Sequence, residues 1–414
     1  MDSKGRGSII AYFLSRMLAL RSLVDVLGDA EWLTVGRARA WCRVLAIITL
    51  AVIVGWIVLA RDGLDVTGKP LGTDFSSFWT ASELALRGHS AAAYDPAQHG
   101  AVQQALFPAG QHGYYAFFYP PMFLLVCLPL ALLPYLASLT AWLLAGSAAL
   151  IGCLRRVLPQ RWAILPMLTS PAFVVNAGHG QNGFLSATCL GSALLLMERR
   201  PFLAGLCLGS LSFKPHLLLA APVMLLAARR WMVIAGAAAA TLGLAAASWL
   251  ILGTGAWTGF LQASSMARAT LENGLVEPWK MQSAFAAVRL LHGGKLFAYG
   301  VQIALASGIL ILLGRHAARR PGGAPEVALL AIGGLLCTPF VLDYDLTCLL
   351  VPIAWVMADA QRTGWQPWEK FVLLAAYVLP LVSRPLAEAG LPTATAVMVG
   401  MLLVVARRAA QVRA

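Results

Sequence analysis

The chain has 414 residues, 59% of them hydrophobic and only 12% charged, with a mean hydropathy of +0.74. A soluble domain carries about 25% charged residues, so an ordinary water-soluble fold is excluded. The formal charge of +13 does not indicate nucleic acid, because Lys and Arg stand in ones, twos and threes between apolar runs rather than along one groove.

In chain order, the first 43 residues are basic and mildly amphipathic. They lack the pattern of a cleavable signal peptide and read as a cytoplasmic segment on the membrane surface. From Val44 onward, apolar runs long enough to cross a bilayer recur. Spans are expected at about 44–60, 135–154, 162–176, 182–198, 201–212, 216–229, 232–252, 296–314, 326–341, 345–359, 370–384 and 391–407. The expected fold is therefore an all-α polytopic membrane protein of about twelve helices, with 44–414 as one domain. Residues 119–154 are too long for one span. Prolines at 120, 121, 129 and 134 suggest a short surface or re-entrant helix before a single crossing.

Numbering the loops alternately sorts the charges. One set holds the N-terminal segment, Arg155, Arg156, Arg161, Arg199, Arg200, Arg229, Arg230, Arg315, Arg319, Arg320, Arg362, Lys370, Arg407, Arg408 and Arg413, in all 22 of the 31 basic residues. The positive-inside rule puts that set and both termini in the cytoplasm of a plasma (bacterial inner) membrane. The loops 61–118 and 253–295 then face outward. The seven cysteines lie in or beside apolar runs without CxxC spacing and read as small apolar residues rather than disulfide or metal partners.

The outward loops hold most of the unusual polar chemistry. LGTDFSSFW places Asp74 among aromatics just beyond the first span, ahead of a helix from Ser76 to Arg87 that carries Glu83. An apolar face of Phe78, Ala81 and Ala85 suggests that this helix lies along the membrane surface. NAGHGQNG supplies His179, Gln181 and Asn182; SFKPHL supplies Lys214 and His216; EPWKMQS supplies Lys280 and Gln282. FVLDYDL supplies Asp343 and Asp345, and LVSRPL supplies Arg384. Bland readings exist for each: a snorkelling Lys214, helix-capping aspartates, structural histidines and a surface Glu83. Their concentration on one side nevertheless implies a shared polar cavity, since polar groups at membrane depth are costly. The D-x-D pair also suits a divalent cation, but two carboxylates are a weak signal and metal is not favoured. The cations suit an anionic group, and the amides and aromatics suit a sugar. A lipid-linked phosphate sugar satisfies both.

Four segments together resemble the membrane glycosyltransferases of family 87, which are polyprenyl-phosphate-mannose-dependent mannosyltransferases of GT-C-type fold. They are TDFSSFWTASELALRGHSAAAYD, YYAFFYPPMFLLVCLPLALLP, the run from GQNGF to LLAARRW, and TPFVLDYDL. The resemblance implies that Asp74 is the catalytic base, as an acidic residue near the outer end of the first span is in GT-C enzymes. It also implies that the K-P segment, with Lys214, helps build the donor pocket. Gln181, Asn182, Tyr119, His216, Glu83, Lys280, Gln282, Asp343, Asp345 and Arg384 are the further substrate-binding candidates. The implied partners are a polyprenyl-phosphate sugar, a lipid or cell-envelope glycan acceptor, and membrane lipids. The sugar is mannose, another hexose or arabinofuranose. The rival readings are a transporter or lipid-linked-sugar flippase, and a non-catalytic scaffold; the absence of a convincing repeat between the halves weighs against the first.

Overall fold

The structure is a computed structural model and describes residues 24–110, 113–274, 276–319 and 322–411. Among these, the chain is helical, and its only β features are isolated bridges. Six helices are long and apolar enough to cross a membrane: Val35–Val58, Tyr135–Val157, Trp231–Glu272, Lys295–Arg319, Glu369–Glu388 and Ala394–Gln411. Five shorter apolar segments, Pro121–Leu132, Gly183–Leu196, Pro201–Phe213, Pro215–Ala227 and Ala324–Cys337, fill the bundle between them. The chain is an all-α polytopic membrane protein. Several of the twelve expected spans are thus shorter than a bilayer is thick. Short or broken helices are tolerated at that depth where protein rather than lipid surrounds them, and Ala324–Cys337 is buried along most of its length.

The first long helix begins nine residues earlier than its apolar run, because Thr34 caps it by accepting the Arg37 N–H at 3.2 Å. Residues 35–43 therefore belong to this helix and not to a separate surface segment; residues 1–23 of that expected segment lie outside the described residues. The 119–154 stretch follows its prolines. A short Pro121–Cys127 helix and a 3-10 turn precede one long helix, Tyr135–Val157.

Two expectations need correction. The Phe75–Leu86 helix is not a surface ribbon. Phe75, Phe78 and Ala81 are buried, and so are Ser76, Ser77, Thr80 and Ser82 on its other faces. The 253–295 segment is not all loop, because Trp231–Glu272 continues as helix through a kink at Gly253, whose φ is 79°. That left-handed backbone is available to glycine at little cost, and it re-aims the second half against the first loop. There Gly259 packs on the Tyr94 ring, whose centroid lies 6.1 Å from that of Phe260.

Between Pro201–Ser210 and Trp231–Glu272, glycines set the spacing. A Cβ on Gly205 would lie 2.1 Å from the Val233 carbonyl oxygen, and one on Gly236 2.1 Å from that of Phe202. Such small-residue contacts are how helices associate where lipid removes the hydrophobic drive between them.

The helix ends carry two separate groups of charges. Glu369 opens and Arg384 lies near the close of a 20-residue helix, about 30 Å long at 1.5 Å per residue. At one end of the bundle stand Glu198, Arg230, Glu326, Asp359, Glu369 and Arg408; at the other stand Asp74, Lys214, Asp343, Asp345 and Arg384, with the neutral Gln181 beside Asp74.

Candidate active site

Asp74 sits at the N-cap position of Phe75–Leu86 but makes no side-chain capping bond. Its carboxylate turns instead to the 176–183 turn, where Gln181 Nε2 donates to Oδ2 at 3.0 Å. The Asp74 backbone N–H donates to the His179 carbonyl at 3.0 Å, and Thr73 Oγ1 shares a hydrogen bond with His179 Nδ1 at 3.0 Å. The capping role that would make Asp74 merely structural is therefore not the one it plays.

The turn that meets it is shaped by its small residues. Gly180 has φ 64° and ends the Pro171–His179 helix. A Cβ there would stand 2.5 Å from Phe75 Cβ, so only glycine lets this backbone reach the residue next to Asp74. Asn176 closes the turn from below, donating to the Gln181 carbonyl at 3.1 Å and accepting the Gly183 N–H at 2.8 Å. The Trp142 indole donates to the Gly180 carbonyl at 3.1 Å.

Gln181 is also held from behind. Its Oε1 accepts from the Tyr119 hydroxyl at 3.1 Å and from the Asn182 backbone N–H at 2.9 Å. Tyr119 is set by the aromatic cluster of Phe78, Phe117 and Phe123, with the Phe123 ring centroid 4.6 Å away.

Lys214 and Asp345 form a buried ion pair at 2.6 Å. The Lys214 ammonium also lies 5.2 Å from the centroid of the Tyr344 ring, whose edge faces His179 at 5.9 Å. Asp345 keeps a second duty: Oδ2 accepts the Leu342 N–H at 3.0 Å and so caps the turn that follows. Asp343 accepts from Arg384 at 2.6 Å and from the Tyr344 N–H at 3.0 Å. Both carboxylates of the D-x-D pair are thus neutralised by separate cations. No cluster of three or more candidate metal ligands forms among the described residues.

These positions meet the expectations unevenly. Asp74, Tyr119, Gln181, Lys214, Asp343, Asp345 and Arg384 come together at one end, with His216 beside Lys214 in the chain and Asn182 beside Gln181. Gln282 is held next to the Asp343 segment by its N–H to the Val341 carbonyl at 2.8 Å, but its side chain bends back to the Lys280 carbonyl. Two candidates are occupied elsewhere. Glu83 pairs with Arg87 on the turn above it in the same helix, and Lys280 pairs with Glu277 at 2.7 Å over the Trp279 ring. Both are local i to i+3 or i+4 pairs at partly exposed positions, so neither cation nor carboxylate needs a distant partner. Tyr344 was not singled out from the sequence. Its signal was its place between two aspartates.

Among Asp74, Asp343 and Asp345, Asp74 is the one whose side chain meets a neutral amide rather than a cation among the described residues. It is also half-buried, and two residues on, Ser76 lines a cavity of about 330 Å³ together with Gln103, Gln104, Tyr114 and Tyr115, among others. Burial, with Asp74 and Asp65 nearby, pushes the Tyr115 phenol up to about 12. A carboxylate held by a neutral amide, at the same end of the bundle as two paired cations, suits acid–base chemistry on a hydroxyl next to an anionic group.

A family model for glycosyltransferase family 87 matches residues 117–342, more than half of the chain. No curated protein and no solved structure matches it. The matched stretch carries Tyr119, Gln181 and Lys214, and hydrogen bonds and an ion pair tie these to Asp74 and Asp345 on either side of it. The chain belongs to glycosyltransferase family 87.

Proposed function

We propose that this glycosyltransferase moves a sugar, mannose first among the candidates, from a polyprenyl-phosphate donor to a lipid or glycan acceptor on the external face of the membrane. Asp74 is the general base and the anomeric configuration inverts. The observation that carries this reading is that Asp74 alone of the three clustered aspartates is held by an amide and free of a cation among the described residues.

The chemistry needs little more. A polyprenyl phosphate is a good leaving group and calls for charge stabilisation, for which Lys214 and Arg384 are the cations at hand. The acceptor hydroxyl calls for a base as positive charge grows at the anomeric carbon: one carboxylate takes its proton while the hydroxyl oxygen bonds to that carbon and the bond to the phosphate oxygen breaks, a direct displacement. No second carboxylate is required, which agrees with Asp343 and Asp345 being bound to cations. The tyrosines and glutamines of the cavity that Ser76 lines offer an acceptor sugar aromatic faces and amides.

Asp74→Asn tests the assignment. It keeps size and can still accept from Gln181, but it cannot take a proton. Transfer from a short-chain polyprenyl-phosphate mannose to an extract of native membrane lipids should fall by at least ~10²-fold, with donor affinity and thermal stability unchanged. Near-normal turnover would exclude Asp74 as base. The external orientation is tested separately by a cysteine at exposed Gln98, which should react with an impermeant thiol reagent in intact cells. Labelling only after lysis would reverse the topology.

A further inference from the structure

We infer that Gln181 is a positioning residue that acts through Asp74, rather than a substrate contact, and that Tyr119 and the Asn182 backbone fix which way its amide faces. The inference rests on the reading of Asp74 as the base.

The argument is one of donors and acceptors. A glutamine side chain has one oxygen that only accepts and one nitrogen that only donates. Here the oxygen has two donors, Tyr119 O–H at 3.1 Å and Asn182 N–H at 2.9 Å. Flipping the amide would aim its N–H₂ at the Asn182 N–H, a donor against a donor, and its oxygen at the Asp74 carboxylate, an acceptor against an acceptor. The Asn182 N–H is backbone and cannot rotate away. The nitrogen therefore faces Asp74 Oδ2, at 3.0 Å.

The consequence for Asp74 is geometric. With Oδ2 engaged and the backbone N–H pinned to the His179 carbonyl, the carboxyl plane is set, and Oδ1 is the oxygen left to accept a proton. Tyr119 cannot drift either, since its ring packs against Phe78, Phe117 and Phe123. Gln181 itself is buried, at 3% exposure, and all three of its side-chain bonds run to protein groups, which leaves a substrate little of it to touch. Positioning of this kind supplies rate through orientation, and misplacement of a reacting group by about 1 Å can cost on the order of 10²-fold.

The test is a double-mutant cycle, read as transfer at saturating short-chain polyprenyl-phosphate mannose with native membrane lipid extract as acceptor. Gln181→Ala should lower kcat roughly 10–10²-fold with donor affinity unchanged. In the Asp74→Asn background the same substitution should cost nothing further, because the group it orients is already gone. An equal cost in both backgrounds would overturn the inference and leave Asp74 as base untouched. Gln181→Glu is the control for folding: it preserves volume and both donors to Oε1 but sets a carboxylate oxygen against Asp74, and should lower kcat at least as far as Gln181→Ala. Tyr119→Phe, which removes one of the two donors to Oε1, should cost about fivefold. A Gln181→Glu variant that keeps wild-type kcat would also overturn the inference. Absence of any transfer by the wild type would instead fail the underlying reading of the function.

Discussion

The two ends of the bundle both bury charges, and they bury them differently. At the end that holds Arg408, the guanidinium is saturated. Nε and Nη2 engage the Glu369 carboxylate, Nη1 donates to Asp359 at 2.7 Å and to Thr363 at 2.9 Å, and Nη2 also reaches the Gly364 carbonyl. This network ties three helix ends together and leaves Arg408 no spare donor, which is what a structural clamp requires. At the Asp74 end, buried polar atoms remain without a partner among the described residues: the Asn182 side-chain amide, His216 Nε2 and Arg384 Nε. The Arg408 end has one such atom as well, Gln160 Oε1 beside Gln361, but the ion network there is closed. The ends differ in that one saturates its central cation, whereas the other leaves polar atoms of Asn182, His216 and Arg384 unpartnered among the described residues.

The largest effect that could break this contrast lies at the clamp. Arg408→Leu would take away the buried cation that Glu369 and Asp359 share, leaving them only the more exposed Arg407 and Arg362, and should destabilise the protein by up to about 3–5 kcal/mol, seen as lost yield and a lower unfolding temperature in detergent. A variant of normal stability would mean that the clamp does not hold the helices together.

Next comes the ion pair at the other end. Lys214→Met alone strands Asp345 and should cost stability for the same reason. Lys214→Met with Asp345→Asn removes both charges while Asn still accepts the Leu342 N–H, so folding should return to within about 1 kcal/mol of wild type. If Lys214 also contacts the donor phosphate, donor affinity in the double variant should stay at least tenfold weaker, since a bond to a charged group contributes about 1.5–3 kcal/mol. Donor affinity restored together with stability would make the two ends alike.

Gly180→Ala should be a smaller lesion of about 1–3 kcal/mol, combining a strained left-handed residue with the 2.5 Å approach to Phe75 Cβ. Its signature is a larger loss of turnover than of stability, because the displaced turn carries Gln181. Equal losses would show that the turn serves packing alone.

The smallest effect at neutral pH concerns His99, which anchors the first loop by donating from Nε2 to the Ser77 carbonyl at 3.2 Å. Burial lowers its pKa to about 4 from an ordinary 6.5. The unfolded chain then binds more protons than the folded one between those values, so stability is present above pH 6.5 and is lost as pH falls towards 4. A shallower decline over that window in His99→Gln would confirm the linkage, and an unchanged one would place the acid sensitivity elsewhere.

What the sequence by itself determined was whatever depends on local pattern. Apolar run length gave the membrane class and most helix positions, and prolines at 120, 121, 129 and 134 marked the break before the long Tyr135–Val157 helix. Segment order carried the family. The order of residues also showed that polar groups gather in a few tight turns, which is how Asp74, Gln181, Lys214, Asp343, Asp345 and Arg384 became candidates. Tertiary structure decided what each of them does. Glu83 and Lys280 look like site residues in a string of letters, yet each closes an ion pair three or four residues away. Asp343 and Asp345 look like a metal motif, yet each meets a cation from a distant segment, across 41 and 131 residues of chain. Whether a carboxylate is a cap, half of an ion pair or a free base depends on which partner the fold brings within about 3 Å of it. Partners that come from other helices leave no periodicity in the sequence.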